Sequence, residues 1–282
     1  MKDHRLLENA THLAALASLA AYFFIVPTVQ AAQSEWAHSE GGAIRIVADR
    51  PQPDGTIPAI LDIRLEPGWK TYWLEPGASG IPPQVSIDPK DGVSVLGMRF
   101  PPPKSFGEGV DHYTGYDKSV AFPLLLKSER KSGDLSLNFS VFLGICKDIC
   151  IPVQADLSLS LPEGTAENPL DRARIDDAVA ALPAQPSETF KVKAASFDAA
   201  GKRLRLSLVT PDASAEKPPE LFLAGPPGYS FGKPEIISVA NGALTADVPV
   251  RVPAKGGALK SGSVLLVVRS GGRSMETPLA FD

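Results

Sequence analysis

Cysteine is nearly absent from this chain of 282 residues: only Cys146 and Cys150 occur. No framework of several disulfides can therefore hold the protein together, and its stability must come from packed cores. Histidine is almost as scarce, with His38 and His112 the only ones after residue 31. A zinc site wants four ligands, and two thiolates supply half of them, with the histidines at distant positions. A basic surplus is also missing, since 28 Lys and Arg face 32 Asp and Glu for a net charge of −4. Such a chain cannot neutralise a row of phosphates, so no nucleic acid is expected as a partner. Phosphate-cradling loops, a nucleophilic-serine elbow and a metalloprotease helix are all absent. Long apolar runs are lacking too, apart from residues 13–26, which end at Pro27.

That one run reads as an export signal. Lys2 and Arg5 precede it, Asp3 and Glu8 dilute their charge, and Val29 and Ala31 suit the −3 and −1 positions of a cleavage site. Residues 1–31 are thus expected to be a signal peptide, with an uncleaved anchor as the alternative. No other segment approaches transmembrane length, so no membrane span is expected in the mature chain. The expected location is the periplasm, an oxidising compartment in which a cysteine pair can persist as a disulfide.

What is plentiful is proline and glycine, 27 and 24 residues, between short β-rich runs. Hydrophobic content is 44% and charged content 21%, so each half can bury a core. At roughly 100–200 residues per domain, two domains are expected. Strand patterns fall at 43–48, 57–65, 93–100, 120–126, 135–143 and 157–161, several with period two. Turns such as Asp54-Gly55, Pro67-Gly68 and Asp91-Gly92 separate them. Residues 168–182 read as a linking helix, with Asn168 as N-cap, Pro169 at N1 and an apolar stripe of Ile175, Val179 and Leu182. About seven more strands follow, at 190–197, 204–209, 221–224, 236–239, 244–252, 264–269 and 277–281. The fold class is all-β: an immunoglobulin-like sandwich over 36–162, a linker helix within 163–186, and a second immunoglobulin-like sandwich over 187–282. The second sandwich, without cysteine or histidine, is expected to be a spacer, docking or partner-binding module.

The cysteine pair admits three readings. As a staple it closes so short a loop that the chain-entropy gain is only about 2 kcal/mol. Fully extended, the two Cα atoms would lie about 13 Å apart, against the roughly 4.4–6.8 Å of a disulfide, so a tight turn is required, and one between two strands would meet the requirement. As a metal site the pair could hold Cu(I) with a methionine. As a redox pair it would cycle between dithiol and disulfide. Lys147 favours a thiolate and Asp148 opposes it, and no helix N-terminus sits at the motif. These local charges suit an electron carrier better than a strongly activated nucleophile.

Several separated motifs carry a resemblance. They are residues 68–77 (GWKTYWLEPG), 80–83 (GIPP), 100–103 (FPPP), 113–116 (YTGY) and 146–152 (CKDICIP). Together they resemble the N-terminal periplasmic domain of DsbD-type and ScsB-type thiol:disulfide interchange proteins over roughly residues 40–162. The resemblance implies an immunoglobulin-like sandwich with the cysteines on neighbouring strands at one end, acting as a protein-disulfide reductase. Its implied partners are a thioredoxin-like or membrane-embedded thiol-disulfide reductase and oxidised periplasmic proteins, and it implies no bound cofactor. By the order of the family's pair, Cys150 would be the attacking thiol and Cys146 the resolving one. Two departures stand out. The C-x₃-C spacing is shorter than in the better-known members and closer to the ScsB-like branch. No multi-span region follows, so a separate membrane reductase would supply electrons, or the protein would act as oxidant or isomerase.

The family's cap loop corresponds to residues 105–116. Phe106, His112 and Tyr113 are the candidates to cover the sulfurs, and Glu108 and Asp111 the candidates for proton transfer. The plainer alternative is a glycine-rich surface loop whose aromatics pack on the sandwich. Trp69, Tyr72 and Trp73 are read as core or rim aromatics. The non-catalytic rivals are a β-sandwich adaptor with a structural disulfide and copper handling by the reduced thiols.

Overall fold

The computed structural model describes residues 32–281 apart from 78–79, 108–111, 131, 165, 212, 215, 241 and 254–258. The expected signal peptide lies outside the described residues. Among those described, no helix is long and apolar enough to cross a membrane.

The first sandwich has two antiparallel sheets. One runs β1 (Ala37–Ser39), β2 (Gly42–Ala48), β3 (Thr56–Leu65), β9 (Val120–Ser128), β6 (Val93–Met98). The other runs β11 (Cys150–Leu161), β10 (Leu135–Cys146), β4 (Lys70–Tyr72), β8 (Tyr113–Tyr116), β7 (Lys104–Phe106), with β5 (Gln84–Ile87) also paired to β10. Strand alternation sets the core. Ile44, Ile46, Ile57, Leu61 and Ile63 from the first sheet meet Leu137, Phe139, Val141 and Leu143 from the second.

β2 and β3 are apolar on both faces for a reason outside the sandwich. The one α-helix among the described residues, α1 (Pro169–Ala180), lies on the outer face of their sheet and buries Val47 and Ile60 against Ile175 and Ala178. Asn168 caps it by accepting from the Leu170 amide, with Pro169 in the first turn. The expected stripe needs correcting. The helix buries Asp171, Ile175 and Ala178, while Val179 is 50% exposed. Arg172 bonds Asp49 at 2.9 Å and Arg174 bonds Asp62 at 2.7 Å, and these ion pairs favour the rotation that turns Val179 outward. The helix therefore covers a sheet face.

The second half is also β-rich. β12 (Lys191–Asp198), β13 (Arg203–Val209), β17 (Ala243–Arg251) and β15 (Ser230–Phe231) line up in that order, with β16 (Glu235–Ala240) also on β17. β14 (Glu220–Ala224), β18 (Leu265–Ser270) and β19 (Arg273–Pro278) form a separate sheet. The last strand thus lies earlier than the 277–281 expected, because its hairpin turns at Gly271 and Gly272, both with positive φ.

The small β14–β18–β19 sheet is buried on both faces. Leu221, Leu223, Leu266, Val268 and Met275 fill the second core. Phe222, Ala224 and Val267, of opposite parity, join the first core. Phe222 packs edge-on against Trp73 with ring centroids 6.2 Å apart. Arg99 reaches Glu276 at 2.8 Å, and Arg269 donates to the Pro103 carbonyl at 3.0 Å. The two halves accordingly sit in one compact unit.

Candidate functional site

The cysteine pair sits where β10 turns into β11. Cys146 and Cys150 are direct cross-strand partners, with Cα atoms 4.1 Å apart, and they form a disulfide. Lys147, Asp148 and Ile149 make the turn, closed by the Lys147 amide donating to the Ile149 carbonyl at 3.1 Å.

Parity decides which way the sulfurs face. Odd-numbered β10 residues from Leu135 to Ile145 fill the sandwich core. The even-numbered ones, ending in Phe142, Gly144 and Cys146, lie on the outer face of the sheet. The disulfide is therefore outside the sandwich core, in a local setting of its own. Its two ends differ sharply: Cys146 is 2% exposed, whereas Cys150 is an exposed residue.

β4 supplies that setting. Lys70 is the cross-strand partner of Cys146, and Thr71 of Ile145. Lys70 and Tyr72 share the sulfurs' face, while Trp69 and Trp73 point into the core. The Tyr72 hydroxyl lies 2.8 Å from Cys150 Sγ. A disulfide sulfur carries no proton, so the phenol is the donor. Burial, with Tyr113 beside it, pushes the Tyr72 phenol up from its ordinary value, so this proton stays in place at neutral pH.

Glycine makes the contact possible. A Cβ on Gly144 would stand 3.1 Å from the Tyr72 ring and 3.0 Å from Ile81 Cβ. The bare strand lets the ring lie across β10 toward the sulfur. The 74–83 connection then folds over it: the Gly144 amide donates to the Ile81 carbonyl at 3.2 Å, and Gly80 sits against Tyr72 and Pro76. The Thr71 hydroxyl donates to the Gly144 carbonyl at 2.9 Å, fixing β4 to β10 at this level. Glu75, in the same connection, is half-buried, and burial raises its carboxyl above the ordinary range.

The expected cap residues form a second layer. Phe106 and Tyr113 stack with centroids 4.9 Å apart, and Tyr113 meets Tyr72 edge-on at 5.9 Å. The Lys70 ammonium lies 4.6 Å from the Tyr113 ring centroid. These aromatics thus reach the disulfide through Tyr72. His112 is lowered from its ordinary pKa by burial, and secondarily by Lys233 from the second half. Glu108 and Asp111 lie outside the described residues. Among the described residues no three His, Cys, Asp or Glu side chains converge to hold a metal ion.

Tyr72 is the residue that sequence reasoning passed over as a core or rim aromatic. A signal was present. In a strand reading Trp-Lys-Thr-Tyr-Trp, parity puts Tyr72 opposite in face to Trp69 and Trp73. Its proximity to sulfur, however, depends on the register between β4 and β10, which pairs residues about seventy positions apart.

Comparison with known proteins covers both halves. Residues 43–162 match the family described as thiol:disulfide interchange protein DsbD, N-terminal. Residues 181–282 match a domain family of unknown function. No curated protein matches the chain. Among solved structures, the N-terminal periplasmic domain of ScsB from Proteus mirabilis is similar, with a TM-score of 0.68 and 27% identity. The alignment spans 89% of this chain and 100% of that one.

Proposed function

We propose that this protein, whose residues 43–162 match the DsbD N-terminal family, is a periplasmic thiol-disulfide exchange protein. It would pass electrons between a thioredoxin-like or membrane-embedded reductase and oxidised periplasmic proteins. The periplasmic setting is supported by the similar ScsB domain and by the signal-like residues 1–31. The observation that carries the reading is the asymmetry of the disulfide: one sulfur belongs to an exposed residue with a phenol donating to it, the other to a buried one.

The chemistry follows from that asymmetry. A partner thiolate attacks Cys150 Sγ along the S–S axis. The Cys146–Cys150 bond breaks, and its electron pair leaves on Cys146 Sγ. The partner's second thiol then attacks the mixed disulfide and releases Cys150 as thiolate. The partner ends oxidised by two electrons, and its two thiol protons end on Cys146 and Cys150. In the reverse half of the cycle, Cys150 attacks an oxidised target and Cys146 resolves the adduct. The Tyr72 hydroxyl stabilises negative charge on Cys150 whenever that sulfur is attacked or expelled. No bound cofactor takes part.

Trapping tests this directly. Cys146→Ala leaves the accessible sulfur without its resolving partner and is expected to accumulate mixed disulfides in periplasmic extract, read as reducible high-mass bands. Cys150→Ala leaves only the buried sulfur and is expected to trap far less. If neither variant traps any protein, the exchange reading fails and a structural disulfide in a sandwich adaptor remains.

A further inference from the structure

Resting on that exchange reading, we propose that Ile149 is the residue by which the hairpin docks its thiol partner, inserting into apolar surface beside the partner's cysteine. A single exposed aliphatic residue needs no explanation in general. This one differs because covalent chemistry dictates what meets it. A mixed disulfide on Cys150 holds the partner's Cα within about 4.4–6.8 Å of the Cys150 Cα. The Ile149 Cα is one peptide away, about 3.8 Å. Any protein bonded to Cys150 therefore comes close to the exposed Ile149.

The directions from which a partner can come are restricted. Tyr72 lies against Cys150 Sγ on one side, and buried Cys146 occupies another. The hairpin tip beside Cys150 is open, with Lys147, Asp148 and Ile149 all exposed. Lys147 bends back over the preceding connection, since a Cβ on Gly68 would lie 3.7 Å from its Cε. Ile149, 70% exposed, is the tip's one apolar side chain. Its burial would add binding energy only to partners that present apolar surface around the reacting sulfur. A small thiol, which has no such surface, would react without it.

That difference defines the test. The oxidised full chain is reduced by reduced thioredoxin, used as a protein probe, and in parallel by dithiothreitol. Ile149→Ser is expected to slow reduction by thioredoxin about tenfold or more, the scale of losing one buried aliphatic contact. The dithiothreitol rate should stay within about twofold, and Ile149→Leu should keep the wild-type rate with both. Equal thioredoxin rates for wild type and Ile149→Ser overturn the docking role alone. A parallel fall in both rates also overturns it, because the hairpin itself would then have changed. A wild-type protein inert to thioredoxin but reduced by dithiothreitol overturns the exchange reading from which the role is drawn.

Discussion

Tyr72 shows how one atom pair can tune a sulfur. A hydrogen bond to a charged acceptor is worth about 1.5–3 kcal/mol, and one pKa unit corresponds to about 1.4 kcal/mol. In the reduced protein the phenol is expected to donate to the Cys150 thiolate, the charged form, and so to lower the thiol pKa. Tyr72→Phe removes the donor and is expected to raise that pKa by about one unit. At neutral pH the thiolate fraction falls while each thiolate becomes more nucleophilic, so alkylation by iodoacetamide should slow about threefold. An unchanged pH profile of alkylation would show that the phenol contributes no charge stabilisation. Burial keeps the Tyr72 phenol protonated well into the alkaline range, so the Cys150 titration should be complete before Tyr72 ionises.

At the scale of elements, the site is a product of two strands and a glycine. The β10–β11 hairpin closes the disulfide, and β4 lays Tyr72 across Gly144, the one glycine of β10. Gly144→Ala places a Cβ against the ring and Ile81, and overpacking of this kind costs about 1–3 kcal/mol. Displacing the ring from Cys150 should also raise the thiol pKa in the same sense as Tyr72→Phe. Because both changes act through one contact, the double variant is expected to show no further pKa shift beyond Tyr72→Phe alone. Additive shifts would mean that Gly144 acts on the sulfur by some other route.

For the whole molecule, the shared β14–β18–β19 sheet is the main energetic fact. Phe222 belongs to the second half in sequence and to the first core in space. Phe222→Ala is expected to cost about 3–5 kcal/mol. All three tryptophans, Trp36, Trp69 and Trp73, lie in the first half, and Trp73 touches Phe222, so their fluorescence follows the first core together with that contact. The urea midpoint followed by tryptophan fluorescence should therefore fall with the substitution. Loss of far-UV circular dichroism without a shift in the fluorescence transition would show that the halves unfold independently. Such coupling also holds the second half beside the cap region, where Lys233 acts on His112.

Local information in the sequence determined a good deal. Period-two alternation marks the sandwich strands, and Asn168-Pro169 marks the helix start, because both depend on neighbours along the chain. The pair Cys146 and Cys150 was legible for the same reason: so short a loop can close only through a tight turn. Three things needed the tertiary structure. Ion pairs from Arg172 and Arg174 to Asp49 and Asp62, more than a hundred residues away, favour the helix face that turns Val179 outward. Long-range register carries Tyr72 to Cys150. Packing between sequence-distant sheets merges Phe222 into the first core. Each depends on contacts between segments far apart in the chain, and periodicity within one segment carries no information about which other segment will lie against it.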